Sequence, residues 1–325
     1  MENILEIRNL KTRFKTINGV ARAVDGVSLY VKPKEVLGIV GESGCGKSVT
    51  SRSILRLIQK PGEIAAGEIL FRGRDLLKIS EAEMEKIRGE KISMIFQQPQ
   101  NTLNPLFSVG WQIGEVFKLH SNHNKKEIRS RTLALLKQVG IPDVEKKIDS
   151  HPFEMSGGQA QRVMIAMALA FSPDILIADE PTTALDVTIQ AQILDILMEL
   201  RNSFNTAIIM ITHNMGVIAE TADRVAVMYA GVIVEHAQVK DLFDNPRHPY
   251  TRGLLKSIPK LGEFRETLYS IPGSVPSLIE EVKGCRFAPR CEFCMPRCEK
   301  EEPPLFPAGD NEHQYRCWLK GEENE

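Results

Sequence analysis

Residues 36–48 constrain the fold more than any other stretch of this chain. Val36-Leu37-Gly38-Ile39-Val40 is a continuous apolar run, which suits a strand buried on both faces. It leads directly into Gly41-Glu42-Ser43-Gly44-Cys45-Gly46-Lys47-Ser48, and a helical pattern follows through about residue 58. A strand covered on both faces needs helices above and below it, so this segment argues for a parallel sheet in an α/β domain. Other runs agree: 92–96, 175–178 and 207–211 read as buried strands, with a helix over about 187–203 before the last of them. Near the N-terminus, residues 5–7 alternate as a short strand, and 27–31 alternate again after the turn signal Asp25-Gly26. Ser80-Glu81-Ala82-Glu83 has the reciprocal pattern of a capping box and predicts a short helix. From residue 109 to about 140 the pattern is helical and rich in Lys, and the helical stretch over about 99–171 reads as an insertion into the sheet domain.

The composition changes near Pro246. The last 80 of the 325 residues hold 10 of the 18 prolines and five of the six cysteines, which no α/β core would carry. This divides the chain into a sheet domain, 1–245, and a loop-rich extension, 246–325. The formal net charge of −1 argues against a surface coated in basic charge for gripping nucleic acid. The longest apolar run, 163–171, is nine residues, about half of the ~20 that cross a bilayer. Met1-Glu2-Asn3 carries no basic region followed by an apolar one, so the expectation is a chain that stays in the cytosol and meets a membrane through a partner. Cys45 stands alone, whereas Cys285, Cys291, Cys294, Cys298 and Cys317 fall within 33 residues. In a reducing compartment such a cluster points to a metal before disulfides.

Three motifs carry chemistry. Gly41 to Ser48 fits G-x-x-x-x-G-K followed by Ser or Thr, between a strand and a helix, which is the context of a phosphate loop. The glycines let backbone N–H groups wrap an anion at the helix N-terminus, Lys47 would contact the β- and γ-phosphates, and the Ser48 hydroxyl would ligate Mg2+. Gly41, Glu42, Ser43, Gly44, Cys45, Gly46, Lys47, Ser48 and Val49 are therefore the nucleotide-binding candidates. Second, the 175–178 strand ends in Asp179-Glu180. By itself this is often a solvated strand end; beside a phosphate loop, Asp179 suits Mg2+ and Glu180 suits polarising an attacking water. Third, Met155-Ser156-Gly157-Gly158-Gln159 precedes a long helix, either as a plain N-cap or as a second anion-binding terminus. One nucleotide needs no second site within a chain, unless each chain supplies half of a dimer interface.

Together these motifs resemble the ATP-binding subunit of an ABC transporter. Ser156 to Gln159 match the signature motif, residues 175–180 the Walker B strand, Thr183-Ala184-Leu185-Asp186 the D-loop, and His213 the switch histidine. Gln97, rather than its neighbours Gln98 and Gln100, matches the Q-loop glutamine because it directly follows the strand ending in Phe96. Phe14 falls where the family stacks an aromatic on adenine, with a core position as the other reading. The resemblance spans about 1–245 and implies ATP with Mg2+ bound between the phosphate loop of one subunit and the signature motif of another. It assigns Mg2+ to Ser48, Gln97 and Asp179, and γ-phosphate chemistry to Glu180, Gln97 and His213.

The extension narrows the family. Asn245-Pro246-Arg247-His248-Pro249-Tyr250-Thr251 and the region after Gly284 resemble the C-terminal part of oligopeptide/dipeptide permease ATPases. That resemblance implies a 4Fe-4S cluster on Cys285, Cys291, Cys298 and Cys317, with Zn2+ as the alternative and metal-free thiols as the third reading. Arg286, Arg290 and Arg297 would then solubilise the segment or offset thiolate charge. The implied function is the ATPase of a peptide importer at the cytoplasmic face of the membrane. Its partners would be a second, different ATPase, two transmembrane permease subunits and an extracytoplasmic peptide-binding protein. Nickel uptake on the same scaffold is the alternative. A DNA-repair ATPase would need a long coiled coil, and a translation ATPase usually carries tandem cassettes.

Overall fold

The computed structural model describes residues 2–183, 185–258, 269–279, 282–309 and 312–319. The chain forms two compact units, one of Met1–Leu77 with Met210–Glu325 and one of Lys78–Ile209. In chain order the strands are β1 Leu5–Thr16, β2 Gly19–Val31, β3 Val36–Val40, β4 Gly62–Phe71, β5 Arg74–Asp75 and β6 Ile92–Ile95. They continue as β7 Ile175–Asp179, β8 Ala207–Thr212, β9 Arg224–Tyr229, β10 Val232–Gln238, β11 Phe306–Pro307 and β12 Gln314–Tyr315.

The first unit holds an antiparallel sheet in the order β2-β1-β4-β5. Where the sequence shows two short strands, the structure has one long hairpin, paired from Leu5 opposite Val31 to Thr16 opposite Gly19. Asp25-Gly26, which reads as a turn, lies inside β2, where Gly26 takes φ +82 and the pairing shifts between Leu10 and Lys11. Such irregularities break the strict period of two, so the alternation is lost to a reader of the sequence although both strands continue.

The same unit contains the mixed series β11-β12-β10-β9-β3, antiparallel except for β3 and β9, which run parallel with Leu37 opposite Arg224 and Val40 opposite Val227. All five residues of β3 are buried, as the unbroken apolar run requires. The helix Met215–Thr221 packs so closely on this strand that a Cβ at Gly38 would stand 2.6 Å from Ile218. Buried Arg224 donates to Glu35 at 2.5 Å and stacks 3.9 Å above the Tyr30 ring. The helix after β3 covers Lys47–Ile54, shorter than its sequence pattern, because Arg56 turns left-handed at φ 52.

In the second unit β6 and β7 run parallel, from Ile92 opposite Ile175 to Ile95 opposite Ala178, and every residue of both is buried. The chain of β8 begins in this unit and ends in the first. The helices Val109–His120, Lys125–Gln138, Gly157–Leu169 and Val187–Phe204 belong here. Capping boxes at Ser80 with Glu83 and at Asn124 with Glu127 start two helices of the unit, the first as its sequence pattern predicts. Among the described residues no helix is long and apolar enough to cross a membrane.

Candidate nucleotide-binding site

The phosphate loop follows β3 and has a shape that only its glycines allow. Gly41 has φ +156, and a Cβ there would stand 2.1 Å from the Met228 carbonyl oxygen. Gly46 has φ +107, and its Cβ would stand 2.2 Å from the Ala23 carbonyl oxygen. Any side chain at either position must displace backbone, so the tight curl depends on both. Gly46 is also the N-cap of Lys47–Ile54, and no side chain caps that helix start. Its first-turn N–H groups therefore face outward as donors for an anion. Lys47 is buried, and its Nζ donates to the carbonyl oxygens of Gly41 at 2.7 Å and Glu42 at 3.0 Å. Cys45 is fully buried in the loop, and desolvation pushes its thiol up against the pull of Lys47, which fits a space-filling role without redox chemistry.

Phe14 lies half-buried on β1 opposite Gly62 of β4, with its ring over that glycine: a Cβ at Gly62 would meet the ring at 2.5 Å. It is thus not among the fully buried core residues. His213 directly follows β8 and is exposed. Ser48 and Val49 are half-buried in the first helical turn, whereas Ser43 and Gly44 are exposed at the crest of the loop.

In the second unit β7 ends at Asp179, which is 1% exposed. Glu180 follows in a left-handed conformation, φ 49, a strained backbone for a residue with a Cβ and of the kind that clusters at functional sites. Its carboxylate accepts from Gln97 Nε2 at 2.7 Å and from the Thr183 hydroxyl at 2.8 Å, both on Oε2. Gln98 turns instead to Asn101, so of the neighbouring glutamines Gln97 is the one joined to Glu180. Thr183 in this role was not legible in the sequence, since a hydroxyl three residues after an acid is common in any turn.

Ser156 caps the helix Gly157–Leu169: its Oγ accepts from the Gln159 N–H at 3.3 Å, and its own N–H donates to Gln159 Oε1 at 3.3 Å. The N-cap reading is therefore correct for Ser156 and Gln159, and the intervening N–H groups of Gly157 and Gly158 remain at the helix start. Ile189 packs against Gly158, where a Cβ would stand 2.9 Å away. Asp186 caps the next helix through the Ile189 N–H at 2.9 Å, and Ser156, Gly157, Gly158, Gln159, Leu185 and Asp186 line one open groove. Ala184 of the D-loop lies outside the described residues.

The cysteine segment corrects the expectation of a 4Fe-4S cluster and of its Zn2+ alternative. Cys285, Cys291, Cys298 and Cys317 line a small apolar cavity with Phe287, Phe293, Trp318 and Leu319. Among the described residues, no group of three or more His, Cys, Asp or Glu is placed to hold a metal ion. All six cysteines are free thiols. Burial pushes the Cys285 thiol up to about 11 and Cys317 up to about 12, and it raises Cys291 as well. In this arrangement the thiols pack as small apolar side chains among the aromatic rings of the cavity. The arginines have other work too. Arg286 donates to the Ala230 carbonyl oxygen and to Asp25, both at 2.6 Å, Arg290 pairs with Glu42, and Arg297 stacks 3.5 Å above the Trp318 ring.

His248, beside that cavity, carries a pH dependence. Its Nδ1 accepts from the Tyr250 N–H at 3.1 Å. Burial is the main cause that lowers its pKa to about 4, with Arg252 and Arg316 adding to the effect and Glu235 opposing it. An unfolded His takes up its proton near 6.5, so between that pH and about 4 the unfolded chain binds more protons and stability falls as pH falls. Complete passage through that window costs on the order of 3 kcal/mol. Denaturant midpoints at pH 7 and pH 5 should show the loss, and His248→Asn, which keeps an acceptor for the Tyr250 N–H, should flatten it. An equal slope in the variant would assign the acid sensitivity elsewhere.

Comparison with known proteins places this geometry in a family. Residues 24–183 match the model of the ABC transporter family, and 234–298 match the C-terminal region of oligopeptide/dipeptide transporters. The oligopeptide transport ATP-binding protein OppD of Bacillus subtilis is 51% identical over 97% of this chain and 88% of its own length. The chain belongs to the ABC transporter family, in its oligopeptide/dipeptide branch. The dipeptide transport ATP-binding protein DppD of Escherichia coli is 47% identical over 97% of this chain and 96% of its own. Among solved structures, the dimeric ATP-binding cassette MJ0796 in a post-hydrolysis state bound to ADP and Pi superposes with a TM-score of 0.66. It is 28% identical and covers 72% of this chain and 98% of that one. The α/β fold expected from the strand and phosphate loop is thus that of an ABC ATPase cassette, whose family binds ATP with Mg2+.

Proposed function

We propose that this chain is the ATP-hydrolysing subunit of an ABC importer that takes up di- and oligopeptides. The observation that carries this reading is the presence, in one chain, of a phosphate loop closed around Lys47 and a C-terminal region shared with oligopeptide/dipeptide transporters. The relatives named above are a dipeptide and an oligopeptide transport protein, which favours peptide over nickel. The chain then comprises a cassette, 1–245, with a helical subdomain inserted at about 99–171, and an extension, 246–325.

The chemistry is ATP hydrolysis coupled to transport. Mg2+, when bound, neutralises phosphate charge, and the oxygen-rich set of Ser48, Gln97 and Asp179 suits such a hard cation. Lys47 and the loop N–H groups hold the phosphates, and Phe14 stacks on the base. Glu180, oriented by Gln97 and Thr183, accepts a proton from the attacking water, and His213 contacts the γ-phosphate. Ser156, Gly157, Gly158, Gln159 and Asp186 serve the site of an opposing subunit. The chain works with membrane permease subunits and in an ATPase pair. We assign the second ATPase to a different chain and the peptide to an extracytoplasmic binding protein, with this subunit peripheral at the cytoplasmic face.

Uptake assays test the substrate. Cells lacking the chain should accumulate labelled di- or oligopeptide at least about tenfold more slowly, and nickel at the normal rate. Normal peptide uptake with lost nickel uptake would reverse the assignment.

A further inference from the structure

We infer that Arg290 and Tyr250, both in the C-terminal region, are positioning residues for the phosphate loop and set its affinity for ATP through Glu42. This rests on the reading of Gly41 to Ser48 as the ATP site.

Glu42 is the second residue of the loop, and the C-terminal region holds it by both backbone and side chain. Its N–H donates to the Tyr250 hydroxyl at 2.8 Å. Its carboxylate accepts two bonds from Arg290, at 2.6 and 3.0 Å, the paired geometry that fixes orientation as well as charge. From inside the loop, the Glu42 carbonyl oxygen accepts from Lys47 Nζ at 3.0 Å and from the Cys45 N–H at 3.3 Å. One residue thus joins the C-terminal anchors to the lysine that meets phosphate. A shift of Glu42 necessarily moves the carbonyl on which Lys47 rests.

The anchors are themselves rigid. The Arg290 side chain is 4% exposed and also donates to the carbonyl oxygens of Pro272 at 2.8 Å and Ile271 at 3.1 Å. Tyr250 is fully buried, with its ring 4.6 Å from Tyr229 and 5.4 Å from Phe287. Phe287 and Arg290 lie between Cys285 and Cys291, so the packed thiols support the arginine that holds the loop. A second tie acts on the same loop: the Cys45 carbonyl oxygen accepts from the Gly231 N–H at 2.9 Å, and Arg286 grips the adjacent Ala230 carbonyl oxygen. Such spending of buried charge on one loop residue exceeds what fastening a surface segment requires, because Glu42 is half-exposed and solvent would otherwise satisfy it.

The test measures ATP affinity and turnover of the full-length chain, each normalised to the titre of folded protein. Arg290→Met and Tyr250→Phe should each weaken ATP binding about tenfold, the scale of a charge-assisted or buried hydrogen bond. Arg290→Lys should recover part of that loss. Glu42→Gln combined with Arg290→Met should be no worse than Arg290→Met alone, since both act through one contact. A merely structural role would lower the folded titre and leave the affinity of the remainder at the wild-type value. If Arg290→Met and Tyr250→Phe both bind ATP within twofold of wild type while Lys47→Ala does not bind, the positioning role is overturned. If Lys47→Ala itself binds normally, the ATP site is misassigned.

Discussion

Replacing Glu180 with Gln should cut ATP turnover by two to four orders of magnitude and leave ATP affinity within a few-fold of wild type. The amide keeps the volume and can still meet Gln97 and Thr183, which bond the same carboxylate oxygen at 2.7 and 2.8 Å. It cannot accept a proton from water, and loss of a positioned general base is worth about 10²–10⁴-fold. Glu180 also has φ 49, so its side chain leaves the strand end in a direction that only this strained backbone provides. Steady-state hydrolysis and equilibrium nucleotide binding on the same preparation separate the two effects. Hydrolysis at the wild-type rate would remove Glu180 from the base role, and lost binding would make it a ligand instead.

Ser156→Arg should be nearly as damaging, by a different route. Ser156 Oγ caps the helix Gly157–Leu169 through the Gln159 N–H, and loss of an N-cap costs only about 1 kcal/mol, so the fold should survive. The new side chain would fill the groove lined by Ser156, Gly158 and Asp186, where we place the γ-phosphate held by an opposing subunit. Turnover should therefore fall at least about a hundredfold while this chain's own phosphate loop binds ATP normally. The Glu180→Gln protein, with trapped ATP, should associate with itself or its partner ATPase in sedimentation, and adding Ser156→Arg should abolish that association. ATP-dependent association that survives the arginine would show that the groove is not part of the closed interface.

The order of strand, glycine-rich loop and helix around Lys47 was legible in the sequence because its signals are contiguous. A buried apolar pentad, a glycine-rich turn and a Lys-Ser helix start mark strand, curl and terminus locally, whereas the remote carbonyl oxygens of Met228 and Ala23 are what forbid a Cβ at Gly41 and Gly46. The capping box at Ser80 was legible for the same reason, since its partner is three residues away, and so was the N-cap at Ser156, one of the two readings its sequence allows; the reciprocal bond to the Gln159 side chain was not read. The length of the β1–β2 hairpin was not, because bulges interrupt its alternation and only cross-strand pairing carries the strands through them. Gln97 and Gln98 differ by one position and share their chemistry; the backbone direction after β6 decides which one meets Glu180. The cysteine spacing pointed to a cluster, yet spacing does not specify partners: Cys285 and Cys317 pack among aromatic rings, and among the described residues no three candidate ligands are placed to hold a metal ion. The tie between Glu42 and Arg290 spans 248 residues, and no local pattern encodes it. Dihedral preference, periodicity and capping act over a few residues and can be read along the chain. Desolvation and the pairing of remote charges depend on which surfaces meet when the chain folds, and no local stretch of residues specifies that.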